Sequence, residues 1–411
     1  MSNDNEPLVV YLDTSDFSDF ADMKRGSGDA GRREDVRTIY ETLLSLRQAG
    51  RIVVPISMVH AGELFDLNRI RDEIADAKAE VIDELCGRAA LLPLPAIIAR
   101  NARHEDSLTG KLKGAYRTTD GHWLSETSPS DLALPLFDKA TLNQAAHDEL
   151  QARGLSTARH HRRALIKDAK SSRKPRNERA AALRASAQTD KKTAAMIDIL
   201  GVDYLTRTFS SPGSQGDFER HLFRRLGDFH LVLKAHRAGH DLTGLFGTVP
   251  EFGANIARMV ETLFDDLSKA GDLPPRAQLH AFITPLAKGL CQQVVARLAS
   301  EDERSSAPSG AAAAPLLRDE STYLNWFGAI VAEYFVQRML NQRDKQKSSD
   351  GADLLHAVYA PYVHVWRGDK RTAPLVARVA QTPLWKEAAP KVAHRLLDLP
   401  GLLPPAIDPA G

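Results

Sequence analysis

Short apolar runs that end near acidic residues lie at both ends of this 411-residue chain and constrain its fold more than any other feature. Near the start, Leu8-Val-Val-Tyr-Leu12 runs directly into Asp13, and Ile52-Val-Val-Pro-Ile56 leads into a helical segment with a further acid. Near the end, Tyr362-Val-His-Val-Trp366 precedes Asp369. Such runs predict buried strands of a parallel α/β sheet. Ligands of these sheets lie outside the carboxyl ends of the strands, so we expect the acids to converge there.

Four acids in these segments form the candidate site. Carboxylate oxygens are the ligands that hard divalent cations prefer. Two ions held by shared carboxylates can supply a nucleophilic water, neutralise a phosphate and assist the leaving oxygen. The pattern therefore predicts metal-dependent phosphodiester hydrolysis with Mg²⁺ or Mn²⁺, and Asp13 is expected to bridge the ions. The predicted catalytic and metal-binding acids are Asp13, Glu63, Asp353 and Asp369.

Two further acids are candidates of second rank. Asp350 lies three residues before Asp353, so both are expected on one side of a helix start, and Asp350 is a fifth predicted metal ligand. The alternative for Asp350 is a first-turn residue favoured by the helix dipole. Asp16 is expected to support the site from the segment after the first strand, with helix capping as its alternative.

Three uncharged or weakly basic side chains complete the predicted surroundings of the ion. Thr14 and Ser15 follow Asp13 and are expected to hydrogen-bond phosphate or to orient that carboxylate. Capping of the next helix is the alternative for both. His356 lies one turn after Asp353 and is expected to orient it, as histidines and carboxylates often do around metal ligands. The alternative is a helix histidine that is satisfied by packing.

The order and local sequence of these acids resemble the PIN-domain nucleases. Four features carry the resemblance: Leu12-Asp13-Thr14 after the first strand, Glu63 early in the helix after the second, Asp353-Leu-Leu-His-Ala-Val-Tyr-Ala at a late helix start, and Asp369-Lys370-Arg371 after the next strand. The match covers roughly residues 7–95 and 345–390. It implies a PIN-like parallel sheet flanked by helices, with a large all-α insertion, and it implies a metal-dependent endoribonuclease.

The chain departs from the family pattern at two positions. Gly368 stands where the family usually has Ser or Thr before the final Asp, and His364 stands where the preceding strand often carries an acid. The first departure could loosen the position of Asp369. The second removes at most an accessory carboxylate.

The resemblance and the turn signals divide the chain into three parts. Residues 1–96 and 345–400 are predicted to form one discontinuous nuclease core. Residues 97–344 contain several amphipathic stretches separated by Pro, Gly and Ser clusters, which predicts a helical insertion that binds substrate or a partner. Residues 401–411 are predicted to be a flexible tail.

Residues 159–192 carry a strong local excess of positive charge in a chain whose net charge is only +1. Because aromatic residues are not interleaved, the stretch favours contact with the backbone of a duplex or structured RNA over base stacking. A solvated helix face paired with acids such as Glu261, Asp265 and Asp266 is the alternative. The predicted nucleic-acid-binding residues are Arg162, Arg163, Lys167, Lys170, Arg173 and Lys174.

Composition indicates the class of protein and its cellular compartment, but it does not select a function. The hydrophobic fraction of 43% is ordinary for a globular protein, and no apolar run is long enough for a membrane span. The two cysteines, Cys86 and Cys291, do not make a disulfide framework, so a reducing cytoplasm is expected.

Two other functions stay open at this stage. A non-catalytic PIN-like scaffold would bind a protein partner or nucleic acid, and a DNA-directed nuclease would use the same acids on another substrate. RNA as the substrate follows from the family resemblance alone. A protein partner or a homo-oligomer fits the sequence, as do roles in stress response, toxin-like growth arrest or defence.

Overall fold

The computed structural model of this protein forms two units, one from Met1–Thr127 and Phe246–Gly411 and the other from Ser128–Leu245. The residues that it describes are 6–64, 72–91, 117–118, 176–202, 229–239, 258, 261–262, 265, 269, 275–285, 287, 325–340, 350–382, 385–386 and 389–405. Within them, no helix is long and apolar enough to cross a membrane.

A four-stranded parallel sheet joins the two ends of the chain within the first unit. The described strands are β1 (Leu8–Tyr11), β2 (Ile52–Val53), β3 (Ala90–Leu91), β4 (Arg117–Thr118), β5 (Val365–Arg367) and β6 (Lys391–Ala393). The sheet has the order β2-β1-β5-β6, and each neighbouring pair is parallel. Val10 pairs with Val365 and Tyr11 with Trp366. The predicted parallel sheet, with the last apolar run beside the first, is thus confirmed.

Helices flank this sheet and connect its strands. The described helices are α1 (Thr14–Lys24), α2 (Ala30–Gln48), α3 (Met58–Leu64), α4 (Asp72–Leu85), α5 (Arg176–Thr189), α6 (Lys191–Leu200), α7 (Phe229–Arg237), α8 (Asn325–Leu340), α9 (Asp350–Val358) and α10 (Ala373–Ala380), with 3-10 turns at Ala360–Tyr362 and Leu396–Leu402. Helix α2 shows why the first crossover forms. It buries one stripe at spacings of three and four residues, and Gly50 follows it at φ 69°, a conformation that favours glycine.

Helix α8 packs in the first unit, although it lies inside the segment predicted as an insertion. The Trp326 indole N–H donates to the Ala357 carbonyl at 2.8 Å, which ties α8 to α9. Buried Glu333 of α8 pairs with Arg378 of α10 at 2.5 Å. The apolar core also contains Leu279 and Ile283, so the chain before residue 345 contributes to the same core as the sheet.

The described residues of the second unit are helical. Helices α5, α6 and α7 bury apolar side chains, namely Ala180, Ala195, Phe229 and Leu233. Asp190 begins α6, because its carboxylate accepts hydrogen bonds from the backbone N–H groups of Lys192 and Thr193.

The C-terminal part of the described chain stays attached to the first unit. Strand β6 pairs with β5 through residues 391–393, and Leu399 is fully buried in the turn that follows. The guanidinium of Arg51 donates to the Pro405 carbonyl at 2.7 Å. Of the predicted flexible tail, residues 401–405 belong to this described part of the chain. Residues 406–411 lie outside the described residues.

Candidate functional site

The sheet brings the segments after β1 and β5 to the same edge. Because β1 and β5 are parallel and Tyr11 is in register with Trp366, Asp13 and Asp369 both follow the carboxyl ends of neighbouring strands. Strand β2 pairs with β1 on the side opposite to β5, and helix α3, which carries Glu63, follows β2 in the chain. Helix α9, which carries Asp353, contacts α3 and precedes β5. The four predicted acids therefore come from four separate segments around one sheet edge.

Two side chains hold the carboxylate of Asp13 in place. Its Oδ2 accepts a hydrogen bond from Ser15 Oγ at 2.5 Å and another from Arg367 Nη1 at 3.0 Å. Burial raises the pKa of Asp13, but the nearby positive charges of His356 and Arg367 outweigh that effect and hold it below its ordinary value. Asp13 is therefore an ionised carboxylate near neutral pH.

Asp16 lies next to Asp13 and is fully buried. Its Oδ2 accepts from the backbone N–H of Asp13 at 2.9 Å, which helps to begin α1, and its Oδ1 lies 2.8 Å from Arg367 Nη2. Burial raises the pKa of Asp16 to about 7, although Arg367 opposes the shift. Its contacts are those of a helix-capping acid, which was the alternative for this residue.

Glu63 is hydrogen-bonded to His356. Its Oε2 lies 2.8 Å from His356 Nε2, and the same ring nitrogen lies 3.2 Å from Thr14 Oγ1. Burial lowers the pKa of His356, but the charge and hydrogen bond of Glu63 raise it above the ordinary value. His356 was expected to orient Asp353; its hydrogen bonds instead orient Glu63.

A buried chain of hydrogen bonds continues from His356 to the end of β1. Tyr11 Oη lies 2.6 Å from His356 Nδ1 and 2.8 Å from Ser57 Oγ. Ser57 Oγ lies 2.9 Å from His60 Nδ1, and His60 Nε2 lies 2.8 Å from the Leu12 carbonyl. The chain thus links Glu63 to the residue before Asp13.

The directions of these hydrogen bonds are consistent from one end to the other. The backbone N–H of Ser57 donates to His60 Nδ1 at 3.0 Å, so His60 is neutral and donates from Nε2 to Leu12. Burial, helped by the charge of His356, lowers the pKa of His60 to about 3. When His356 is protonated, it donates to both Glu63 and Tyr11, and Tyr11 donates to Ser57.

Asp353 shows most directly that the acids lie close together. Burial and then the charges of Asp369, Glu63 and Asp13 raise the pKa of Asp353 to about 8. Because all three carboxylates contribute to this rise beside burial, each of them lies within electrostatic reach of Asp353. The site is therefore a place where negative charge is crowded.

Asp369 accepts hydrogen bonds from backbone N–H groups at the start of α10. Its Oδ1 accepts hydrogen bonds from the backbone N–H groups of Arg371 at 3.0 Å and Thr372 at 2.6 Å. The preceding Gly368 is needed for space, because a Cβ at that position would overlap the fully buried ring of Trp366. The departure from Ser or Thr at position 368 thus has a local steric cause.

The acids are near one another but not arranged as a finished metal site. Among the described residues, no group of three or more His, Cys, Asp or Glu side chains is placed so that it could hold a metal ion directly. Oδ2 of Asp13, Oε2 of Glu63 and Oδ1 of Asp369 all have hydrogen-bond partners. An ion would have to use the remaining oxygens or draw the side chains inward.

Several predicted residues have contacts that the structure does not describe. Asp350 is the first residue of α9, as expected, but its side chain is outside the described set. In the basic stretch, the exposed side chains of Arg184, Lys191 and Lys192 are described. The predicted nucleic-acid-binding residues all lie outside the described residues, namely Arg162, Arg163, Lys167, Lys170, Arg173 and Lys174.

Sequence reasoning missed five residues that surround the acids. They are Arg367, Tyr11, Ser57, His60 and Lys78. The pKa of Lys78 on α4 is lowered by burial, while Asp22 and Glu63 oppose the shift, so this partly buried cation lies within electrostatic reach of Glu63. An arginine at the end of a buried strand was a usable signal, because a buried guanidinium requires anionic partners.

Comparisons with known proteins identify no relative. The chain matches no protein-family model, no curated protein and no solved structure.

Proposed function

We propose that this protein is a metal-dependent ribonuclease that cleaves phosphodiester bonds at the edge of its parallel sheet. The observation that carries the proposal is the convergence of Asp13, Glu63, Asp353 and Asp369 from four separate segments. Burial, together with the charges of the other three acids, raises the pKa of Asp353 to about 8. Crowding of this kind disfavours the metal-free site, and a divalent cation would relieve it.

The residues present fit Mg²⁺ or Mn²⁺ by their chemistry. All four acids offer oxygen ligands, and Asp13 is already ionised because Arg367 and His356 favour its charged form. When bound, such an ion supplies positive charge for the phosphate and lowers the pKa of a bound water. The ligands would be Asp13, Glu63, Asp353 and Asp369, with Asp350 as a further candidate.

Neighbouring polar side chains hold these acids in place. Ser15 and Arg367 fix Asp13, while His356 and Thr14 fix Glu63. Lys78 lies near Glu63 and brings a positive charge that could contact a phosphate. A carboxylate that is already oriented loses little freedom when it takes up its role, which favours catalysis.

RNA is the substrate that we propose for this site. It is supported by the resemblance to PIN-domain nucleases and by the basic stretch 159–192. Arginine and lysine side chains there would neutralise phosphates and position the strand without reading its sequence.

Cleavage of a fluorescent single-stranded and a structured RNA by the purified chain tests the activity. We expect cleavage with Mg²⁺ or Mn²⁺, loss of cleavage with EDTA, and loss of cleavage in the Asp13→Asn variant. The matched control is Asp35→Asn, which neutralises an exposed acid on α2 and should retain full activity. Full activity of Asp13→Asn, or cleavage that EDTA does not reduce, would contradict the proposal.

Replacing Arg162, Arg163, Lys167 and Lys170 with Gln tests the basic stretch separately. The apparent KM should rise and the salt dependence of RNA binding should weaken, by about 0.7–0.9 in slope for each phosphate that the variant no longer neutralises. The kcat should remain near that of the wild type, since the carboxylates are untouched. An unchanged salt slope would assign the stretch to folding or to binding of a protein.

A non-catalytic scaffold is the second candidate, and the pairing of Asp13 with Arg367 favours it. A buried guanidinium already neutralises one of the acids on which catalysis would depend. A scaffold would bind RNA or a protein partner and would show no metal-dependent cleavage of any strand. Parallel assays on RNA and DNA of the same sequence also separate the ribonuclease from a DNA-directed nuclease.

A further inference from the structure

Arg367 is paired with Oδ2 of Asp13, the acid that was expected to bridge two metal ions. It is the last residue of β5 and is buried, and its Nη1 donates to Asp13 Oδ2 at 3.0 Å. Ser15 Oγ donates to the same oxygen at 2.5 Å. The side chain of Asp13 also takes part in the capping box that begins α1, together with Asp16. Oδ2 of Asp13 therefore already has two donors, and one of them carries a permanent positive charge.

The guanidinium cannot easily leave this position. Its Nη2 lies 2.8 Å from Oδ1 of Asp16, an acid that is fully buried and whose other oxygen accepts the Asp13 backbone N–H. Withdrawal of Arg367 would leave two buried carboxylates without their shared cation, which is strongly unfavourable. Arginine also keeps its charge at every pH at which the protein is folded.

We propose that Arg367 is a resident cation among these acids, so that they bind a single divalent ion and Arg367 supplies the positive charge that a second ion would bring. This inference rests on the proposed metal-dependent function and changes the initial expectation that Asp13 bridges two ions. Arg367 is a positioning residue, because it acts on the reaction through Asp13 and touches no substrate.

The number of tightly bound Mn²⁺ ions on the full chain tests this inference without reference to activity. Electron paramagnetic resonance of free Mn²⁺ gives the number, and the Asp13→Asn/Asp353→Asn double variant gives the background from exposed acids. We expect one Mn²⁺ ion at the site in the wild type. Two ions at the site would overturn the inference and leave the proposed function intact. No bound ion, together with no metal-dependent cleavage, would refute the proposed function itself.

Variants of Arg367 test whether this side chain determines how many Mn²⁺ ions bind at the site. Arg367→Gln frees Oδ2 of Asp13 and should bind two Mn²⁺ ions, whereas Arg367→Lys keeps the charge and should bind one. Lys370→Gln is the matched control: it removes an exposed positive charge next to Asp369 and should bind one. A single ion in Arg367→Gln would overturn the assigned role.

A second route keeps the test decisive if Arg367→Gln does not fold. The double variant Arg367→Gln/Asp16→Asn removes the guanidinium together with the buried acid that pairs with its Nη2, so Asp16 is not left as a buried acid without its partner. It should also bind two Mn²⁺ ions. Binding of one ion by this folded double variant would show that Arg367 does not exclude a second ion.

Discussion

Replacing Asp353 with Asn should stabilise the metal-free protein at alkaline pH, although it removes a predicted metal ligand. Burial and the charges of Asp369, Glu63 and Asp13 raise the pKa of Asp353 from 3.8 to about 8. Ionisation of this carboxyl is therefore more costly in the folded protein than in the unfolded chain. An amide of the same shape carries no such cost, so the variant should gain stability wherever the wild-type carboxyl is ionised in the unfolded chain.

The pH window of this effect follows from the two pKa values. Below about pH 4 the carboxyl is protonated in both states, so its titration contributes nothing. As the pH rises from about 4 to about 8, the unfolded chain releases the proton while the folded protein keeps it, and the penalty grows. Above about pH 8 the penalty is constant.

The size of the effect can be bounded from the same shift. About four pKa units at about 1.36 kcal/mol each give an upper limit of about 5 kcal/mol. Entry of water and rotation of the side chains reduce such penalties, so we expect a gain of about 2 kcal/mol above pH 8. In a domain of ordinary size this is a rise of roughly 4–8 °C in Tm.

Thermal unfolding of the wild type and Asp353→Asn in EDTA, across the acidic to alkaline range, measures this gain. The exposed Asp35→Asn variant is the control for the loss of one negative charge from the whole protein. The Tm difference should be small in acid and should widen toward alkaline pH. A variant that is less stable than the wild type at alkaline pH, or a difference that does not change with pH, would show that the carboxylates do not crowd Asp353.

Three further variants should lower stability, each through a different interaction, and unfolding in EDTA measures all of them. Asp13→Asn should lose roughly 2 kcal/mol or more, the opposite sign to the variant above, because it breaks a buried ion pair; a more stable variant would contradict the described pairing. Tyr11→Phe should lose about 1–3 kcal/mol, because it leaves the buried partners of the hydroxyl unsatisfied; an unchanged Tm would show that the chain of hydrogen bonds is not formed. Gly368→Ser should reduce the Tm or the folded yield by forcing Trp366 to move, whereas Gly401→Ser has open space and should behave as the wild type.

The sheet could be predicted because its central strands are local features of the sequence. The apolar runs at residues 8–12 and 362–366 are too hydrophobic for loops, and two parallel strands beside each other place the following acids at one edge. Strand β6 was missed because Lys391-Val-Ala393 is too short to show a period and begins with an exposed lysine. Its strand character comes from pairing with β5, a tertiary effect.

The immediate partners of the acids could not be predicted in the same way. The hydrogen bond between Arg367 and Asp13 joins residues that are 354 positions apart, and the one between His356 and Glu63 joins residues that are 293 positions apart. No local sequence pattern can therefore predict them. The sequence did place His356 near the acids, because it lies one turn after Asp353 on α9. Which carboxylate it contacts depends on how α9 packs on α3, and that is decided by the core.

Anomalous diffraction from crystals grown with MnCl₂ is the decisive measurement for the proposed metal site, because it locates the ion without assuming a substrate. We expect a Mn²⁺ peak bonded to Asp13 Oδ1 and to oxygens of Asp353 and Asp369, with Arg367 still paired to Asp13 Oδ2. Crystals of Asp13→Asn should show no peak there. A wild-type structure with ordered acids and no Mn²⁺ among them, from protein that cleaves RNA in the same buffer, would rule out these carboxylates as the metal site.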